Sequence, residues 1–281
     1  MRVRKAAVAG SFYPADGDIL AQYVDQLLDE SASVFSENGD YQPESAPQKH
    51  VLSPDKHSSK ALIVPHAGYQ YSGKIAAYAY SMLRARKNKI SRIVLLGPCH
   101  RVWIEGLAIP SVEYFSTPLG EIPLDKQKLQ ELTQFVQIQI SDLAHQEEHS
   151  LEVQIPFIQR IFDKIKLIPI AVGGASTEQV SEIIEYLWEG AETIFLISSD
   201  LSHFLDYHTA RETDRKTTEY INNLDYQSLN HEMACGSTPI QGLLKVAQEK
   251  SMQVSTLAQC NSGDTAGDKS RVVGYASYAI Y

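Results

Sequence analysis

Ile93-Val94-Leu95-Leu96-Gly97-Pro98-Cys99-His100 is a short run of branched apolar residues without polar alternation, closed by Gly-Pro and followed by two metal-capable side chains. Such a run reads as a β-strand buried on both faces, as in a parallel sheet covered by helices. Two further runs repeat the pattern. Ala61-Leu62-Ile63-Val64-Pro65 ends at His66, and Ile194-Phe195-Leu196-Ile197-Ser198-Ser199 ends at Asp200, with His203 three residues on. In open α/β sheets ligands bind outside the carboxyl ends of the strands, so side chains far apart in sequence converge there. A lone His after a strand is ordinarily a hydrogen-bonded loop residue; three runs that end alike point to a site.

Working outward, helical periodicity predicts helices over residues 19–28, 74–85, 125–136, 150–162, 177–188, 209–223 and 240–250, with Pro156 bending the fourth or marking its start. Residues 166–172 read as another core strand, and residues 253–259 and 272–281 as a terminal hairpin. The alternation of strand and helix gives βαβ units and hence a central parallel or mixed sheet flanked by helices, and 281 residues are compatible with one large α/β domain or two smaller ones. Residues 30–60, rich in Ser, Pro, Asn, Asp and Lys, read as a flexible surface insertion that leaves His50 and His57 in solvent.

Bulk properties narrow the function classes. With 43% hydrophobic and 21% charged residues the chain has an ordinary globular composition. The formal net charge of -9 argues against a nucleic-acid surface, and the only basic cluster, Arg84 to Lys89, is short. No stretch approaches the roughly 18 apolar residues of a transmembrane helix, and Ala6 to Ser11 is too short for a signal-peptide core. Cys99, Cys235 and Cys260 are too few and odd in number for a disulfide framework, which suggests reduced thiols and a cytoplasmic location.

His66 and His100, held by neighbouring Pro and Gly, are the first-choice imidazole ligands. Asp200 and His203 stand three apart, so an incipient helical turn would put both on one side of a cleft, to bind metal or exchange a proton. Cys235 precedes Ser237-Thr238-Pro239, a helix-start signal with Ser or Thr as cap, where the helix dipole would favour thiolate; a buried structural thiol is the competing reading. His149 and Glu152 share a helical face by the same spacing, although acidic residues at a helix start are expected for dipole reasons alone. The chain holds no His-Glu-x-x-His, no Cys-x-x-Cys and no Walker phosphate loop.

Six motifs, in order along the chain, carry a family resemblance: Ala9-Gly10-Ser11-Phe12-Tyr13-Pro14, Pro65-His66-Ala67-Gly68-Tyr69, Gly97-Pro98-Cys99-His100, Glu148-His149-Ser150-Leu151-Glu152, Ser198-Ser199-Asp200-Leu201-Ser202-His203 and Cys235-Gly236. Together they resemble the Memo family (mediator of cell motility), whose microbial members are also called AmmeMemoRadiSam system protein B. The resemblance implies a single α/β domain over residues 1–281, similar to class III extradiol ring-cleaving dioxygenases, and a metal pocket whose ligands match His66, His100 and Cys235. Asp200 and His203 would lie alongside as catalytic groups, with His149, Glu152 and Tyr69 as further pocket candidates. A His/His/Cys set accepts Fe(II), Cu or Zn, and the soft thiolate makes reduced copper a competitor to iron while putting ring cleavage in doubt. Two functional readings follow. One is a metal-dependent redox enzyme with His203 as proton donor or acceptor and Asp200 orienting it or adding a ligand. The other is a protein that holds a small molecule or peptide in the same pocket without turnover, or binds copper or iron. The family's microbial naming implies a functional link to a radical-SAM protein and an Ammecr-type protein.

Overall fold

The computed structural model describes residues 2–37, 59–265 and 267–281. Twelve strands are present among them: β1 (Val3–Arg4), β2 (Ala61–Val64), β3 (Arg92–Pro98), β4 (Leu107–Ile109), β5 (Tyr114–Thr117), β6 (Gly120–Pro123), β7 (Ile138–Ile140), β8 (Lys166–Val172), β9 (Thr193–Ser198), β10 (His203–Leu205), β11 (Val254–Asn261) and β12 (Val272–Ile280). The strands read from sequence as buried on both faces are so: every residue of β2 and β9 is buried, as is β3 from Ile93 onward. Beyond the strands, no helix among the described residues is long and apolar enough to cross a membrane.

The main sheet is mixed. Strands β2, β9, β3 and β8 lie side by side and parallel, antiparallel β4 follows β8, and β7 pairs parallel to β4 at the edge. At the other end β12 pairs antiparallel with β2, β10 and β11, the last being the predicted terminal hairpin. A separate small sheet joins β1, β5 and β6. The single α/β domain with helices on a mixed sheet is therefore the observed fold. The βαβ reading of residues 61–96 would make β2 and β3 neighbours; instead β9 runs between them. All three still end on one side of the sheet, with Val64 opposite Ser198 and Leu96 opposite Ile197.

The helices among the described residues are α1 (Gly17–Glu37), α2 (Tyr69–Ser81), α3 (Lys126–Leu132), α4 (Asp142–Gln146), α5 (Ile155–Ile161), α6 (Thr177–Tyr186), α7 (Tyr207–Asn222), α8 (Ser237–Glu249) and the single turn α9 (Ser262–Thr265). Helix α1 runs nine residues past its predicted end at Leu28 and takes in the first part of the expected insertion; residues 38–58 of that segment, with His50 and His57, lie outside the described residues. Pro156 falls in the first turn of α5, where its missing N–H costs nothing, so it starts the helix rather than bending it. Residues 150–154 before it are turn and one short 3-10 segment instead of α-helix. Helix α1 packs on α2 and α5, and α6 on α8, which in turn meets β3 and β9.

Candidate metal centre

Each of the three central strands ends two residues short of a functional side chain: Val64 before His66, Pro98 before His100, Ser198 before Asp200. The fourth contribution is the turn at residues 148–151, drawn against the end of β3. Gly97 permits this approach, since a Cβ there would stand 2.9 Å from both Ser150 Oγ and a Leu151 methyl. His149 is thereby carried over the strand ends, where its ring stacks on His100 at 4.9 Å and meets His66 edge-on at 5.5 Å. One donor atom from each of His66, His100 and His149 lies within 4.8 Å of the others, a grouping that can hold a metal ion.

The hydrogen bonds fix which nitrogen each ring presents. Ser198 Oγ donates to Ser150 O (2.5 Å) and accepts from Gln154 Nε2 (2.9 Å), so its contact with His66 Nδ1 (2.9 Å) requires the imidazole to donate. His66 is thus the Nδ1–H tautomer with its Nε2 lone pair free for a ligand. The same logic holds for His100, whose Nδ1 meets Glu148 Oε1 at 3.1 Å, and for His203, whose Nδ1 meets the Leu201 carbonyl at 2.8 Å. Nδ1 of His149 is buried and makes no hydrogen bond; it lies 3.3 Å from Glu148 Oε1, out of bonding geometry.

Burial, reinforced by His100 and His149, holds His66 well below the usual histidine range, and burial takes His149 down to about 4 against the pull of Glu148. Both rings are neutral near pH 7, the form that ligates. Burial alone would raise the Glu148 carboxyl, but bonds from the His100 ring and the Ser150 and His100 amides outweigh it and bring it down to about 2.

Cys235 reaches the site from the start of α8. Its sulfur lies 3.4 Å from His66 Nε2 and outside the three-histidine grouping. Two atoms bound to one tetrahedral ion at about 2.0 and 2.3 Å stand about 3.5 Å apart, so this pair has the spacing of a shared ion. The donor set, an orphaned buried imidazole nitrogen beside it, and the inward Nε2 lone pairs all fit a transition ion. The thiolate expected from the helix dipole is not what the structure gives. Burial, with Asp200 adding, pushes the Cys235 thiol up to about 12, and the residue before α8 that caps it is Gly236, with no side-chain cap.

The remaining candidates divide. Asp200 is buried beside the cluster, but its Oδ1 accepts the His66 backbone N–H (2.7 Å), so it braces the β2 turn and makes no bond to His203. His203 is close enough to His100 to feel its charge, and burial lowers its own pKa. The next residue, Phe204, is exposed and holds φ 61, a strained conformation for an aromatic residue. Glu152 and Tyr69 do not line the site. The Glu152 carboxylate pairs with Arg4 and accepts Tyr13 Oη and the Ala7 and Val8 amides, and Tyr69 donates to Val153 O within an aromatic core with Tyr13 and Phe157. Their spacing from His149 and His66 matched the sequence motif, but residues 149–152 form a turn, so i,i+3 positions do not share a face. Of the other cysteines, Cys99 points away to the Val102 carbonyl (3.0 Å), and Cys260 sits in the β11–β12 hairpin. Glu148, the hub of this site, is not among the candidates read from the sequence, although it heads the Glu148-His149-Ser150-Leu151-Glu152 motif.

A mixed α/β sheet whose parallel strands deliver histidines, an aspartate and a nearby cysteine to one end defines an α/β protein with a metal-capable histidine cluster. The chain belongs to the Memo family: the family profile described as Memo-like protein matches residues 4–279. Among its relatives, MEMO1 family proteins of Sulfolobus acidocaldarius and Sulfurisphaera tokodaii are 35% and 36% identical, with 98% of each chain covered. A MEMO1 family protein of Pyrobaculum arsenaticum is 33% identical over the whole of both chains.

Proposed function

We propose that the protein is a metal-dependent redox enzyme whose ion is held by the nitrogens of His66, His100 and His149 and the sulfur of Cys235. The observation that carries this reading is the convergence of three imidazoles within 4.8 Å, with Nδ1 of His66 and of His100 committed to Ser198 and Glu148 so that Nε2 is the nitrogen left for a ligand. Imidazole suits iron, copper and zinc alike, and the thiol adds a soft donor that favours copper in its reduced state. Iron or copper bound there supplies one-electron chemistry. Around it, the chain's own groups divide the work. Asp200 keeps the His66 backbone in place, and the thiol proton of Cys235 is the one the site gives up when the ion binds. His203, neutral and with Nδ1–H anchored on Leu201 O, presents Nε2 as a proton acceptor for a bound reactant.

Elemental analysis of protein purified without added metal or chelator, followed by spectroscopy of the ion and oxygen uptake by the loaded protein, tests the proposal. Stoichiometric iron or copper with oxygen uptake is the expected result. Bound metal without turnover for any reductant or aromatic or peptide candidate would move the protein to the non-catalytic reading, and no uptake of any transition ion would remove both.

A further inference from the structure

We infer that Glu148 is the positioning residue of this site: one buried carboxylate that sets the His100 ring, ties it to the turn carrying His149, and supplies the negative charge that an ion in the cluster neutralises. The inference rests on the reading of the cluster as a metal centre.

Its basis is a contrast between two carboxylates four residues apart. Glu148 and Glu152 are both essentially inaccessible, at 1% and 0% exposure. Glu152 has a formal counter-charge, the Arg4 guanidinium. Glu148 has none: among the described residues its ion-pair partners are only the imidazoles of His100 and His149. A buried carboxylate without a cation is costly, and the molecule meets part of that cost with five N–H donors. Oε1 accepts from His100 Nδ1 (3.1 Å), His149 N (2.9 Å) and Ser150 N (2.9 Å); Oε2 accepts from His100 N and Arg101 N. Two of these five come from the loop after β3, two from the turn before α5 and one from the His100 ring. Among the described residues no other side chain joins those two segments through so many bonds. Because an ionised carboxylate only accepts, His100 must carry its proton on Nδ1, which leaves Nε2 as the ligating atom. The uncompensated charge lies against the cluster, one imidazole away from the ligating nitrogens, where a cation would balance it.

Glu148→Gln keeps the volume and removes the charge and half of the acceptor capacity. In metal-free protein, ¹⁵N NMR of the wild type is expected to show His100 as the Nδ1–H tautomer, and Glu148→Gln a mixture. Calorimetry with Zn(II) alone is expected to show affinity lowered tenfold to a hundredfold in Glu148→Gln. Glu152→Gln, equally buried but facing Arg4, serves as control; it lowers the melting temperature yet leaves the His100 tautomer and Zn(II) affinity of the folded protein unchanged. Unchanged affinity in Glu148→Gln, or an Nε2–H tautomer for His100 in the wild type, overturns the inference; the second measurement needs no variant to fold. Wild-type protein that binds no Zn(II), Fe(II) or Cu(I) overturns the metal reading itself, and the inference with it.

Discussion

Nε2 of His66 and the sulfur of Cys235 stand 3.4 Å apart across 169 positions of sequence. Two tight contacts bring them together. The β2 turn is fixed by Asp200, and Gly236 lies so close to the end of β9 that a Cβ there would stand 2.7 Å from Ser199 Cβ and 2.8 Å from Ser198 O. The Nδ1–H tautomer of His66 leaves its Nε2 facing the thiol, and the two atoms have the spacing of donors to one ion.

The role of the sulfur is separable from its volume. Cys235→Ser is nearly isosteric and retains a donor for His66 while losing the soft ligand. We expect it to melt close to wild type and to bind Cu(I) at least tenfold more weakly in a chelator competition, about 1.4 kcal/mol. Cys260→Ser, in the β11–β12 hairpin, should bind normally. An equal loss in both variants would remove Cys235 from the ligand set.

His203 stands at the edge of the cluster with Nδ1–H committed to Leu201 O. A group that handles protons leaves the bound ion in place when it is removed. His203→Ala is therefore expected to keep a full complement of metal by elemental analysis and to lose at least tenfold in oxygen uptake. Loss of the metal itself would make His203 a ligand instead.

What was legible in the sequence were the parts set by local pattern. The unbroken apolar runs gave β2, β3, β8 and β9, because burial on both faces leaves no polar alternation, and the residues following those runs gave His66, His100, Asp200 and His203. The order β2-β9-β3 was not legible, since parallel pairing joins strands over a hundred residues apart and leaves no local mark. His149 reads from the sequence as sharing a helical face with Glu152; the turn that replaces the helix sends His149 to the histidine cluster and Glu152 to Arg4. The charge state of Cys235 depends on burial, which the dipole argument could not weigh.

Arg4 and Glu152 form an ion pair at 5% and 0% side-chain exposure that binds β1 and the N-terminal segment to the turn before α5. Removing one partner leaves the other charged and buried, at a cost of about 3–5 kcal/mol. Arg4→Met should lower the melting temperature by roughly 5–9 °C at this chain length. Arg4 also donates to the carbonyls of His145 and Glu148, so the loss is expected to exceed that of any single surface pair such as Arg215–Glu219. Thermal unfolding of Arg4→Met beside Arg215→Met is the measurement, and equal small shifts would show that the buried pair contributes nothing.

Asp214, buried on the inner face of α7, accepts the Ser202 backbone N–H at 3.0 Å and so braces the strand that carries His203. Burial raises its carboxyl to about 6 in spite of the Ser202 bond, with no Lys or Arg in ion-pair reach among the described residues. A folded-state value above the unfolded one favours the protonated form. Its stabilising contribution is whole below about pH 3.8 and is lost as pH rises through 6, which at about two pH units corresponds to about 3 kcal/mol. Asp214→Asn keeps an acceptor for Ser202 and cannot ionise. We therefore expect wild type and Asp214→Asn to be closest in stability near pH 4 and to diverge by pH 7, with the Asn variant the more stable by up to about 3 kcal/mol. Urea unfolding at pH 4, 5, 6 and 7 measures the difference directly, because other carboxylates titrate equally in both proteins. A constant difference across that range would show that Asp214 ionises in the folded protein as readily as in the unfolded chain.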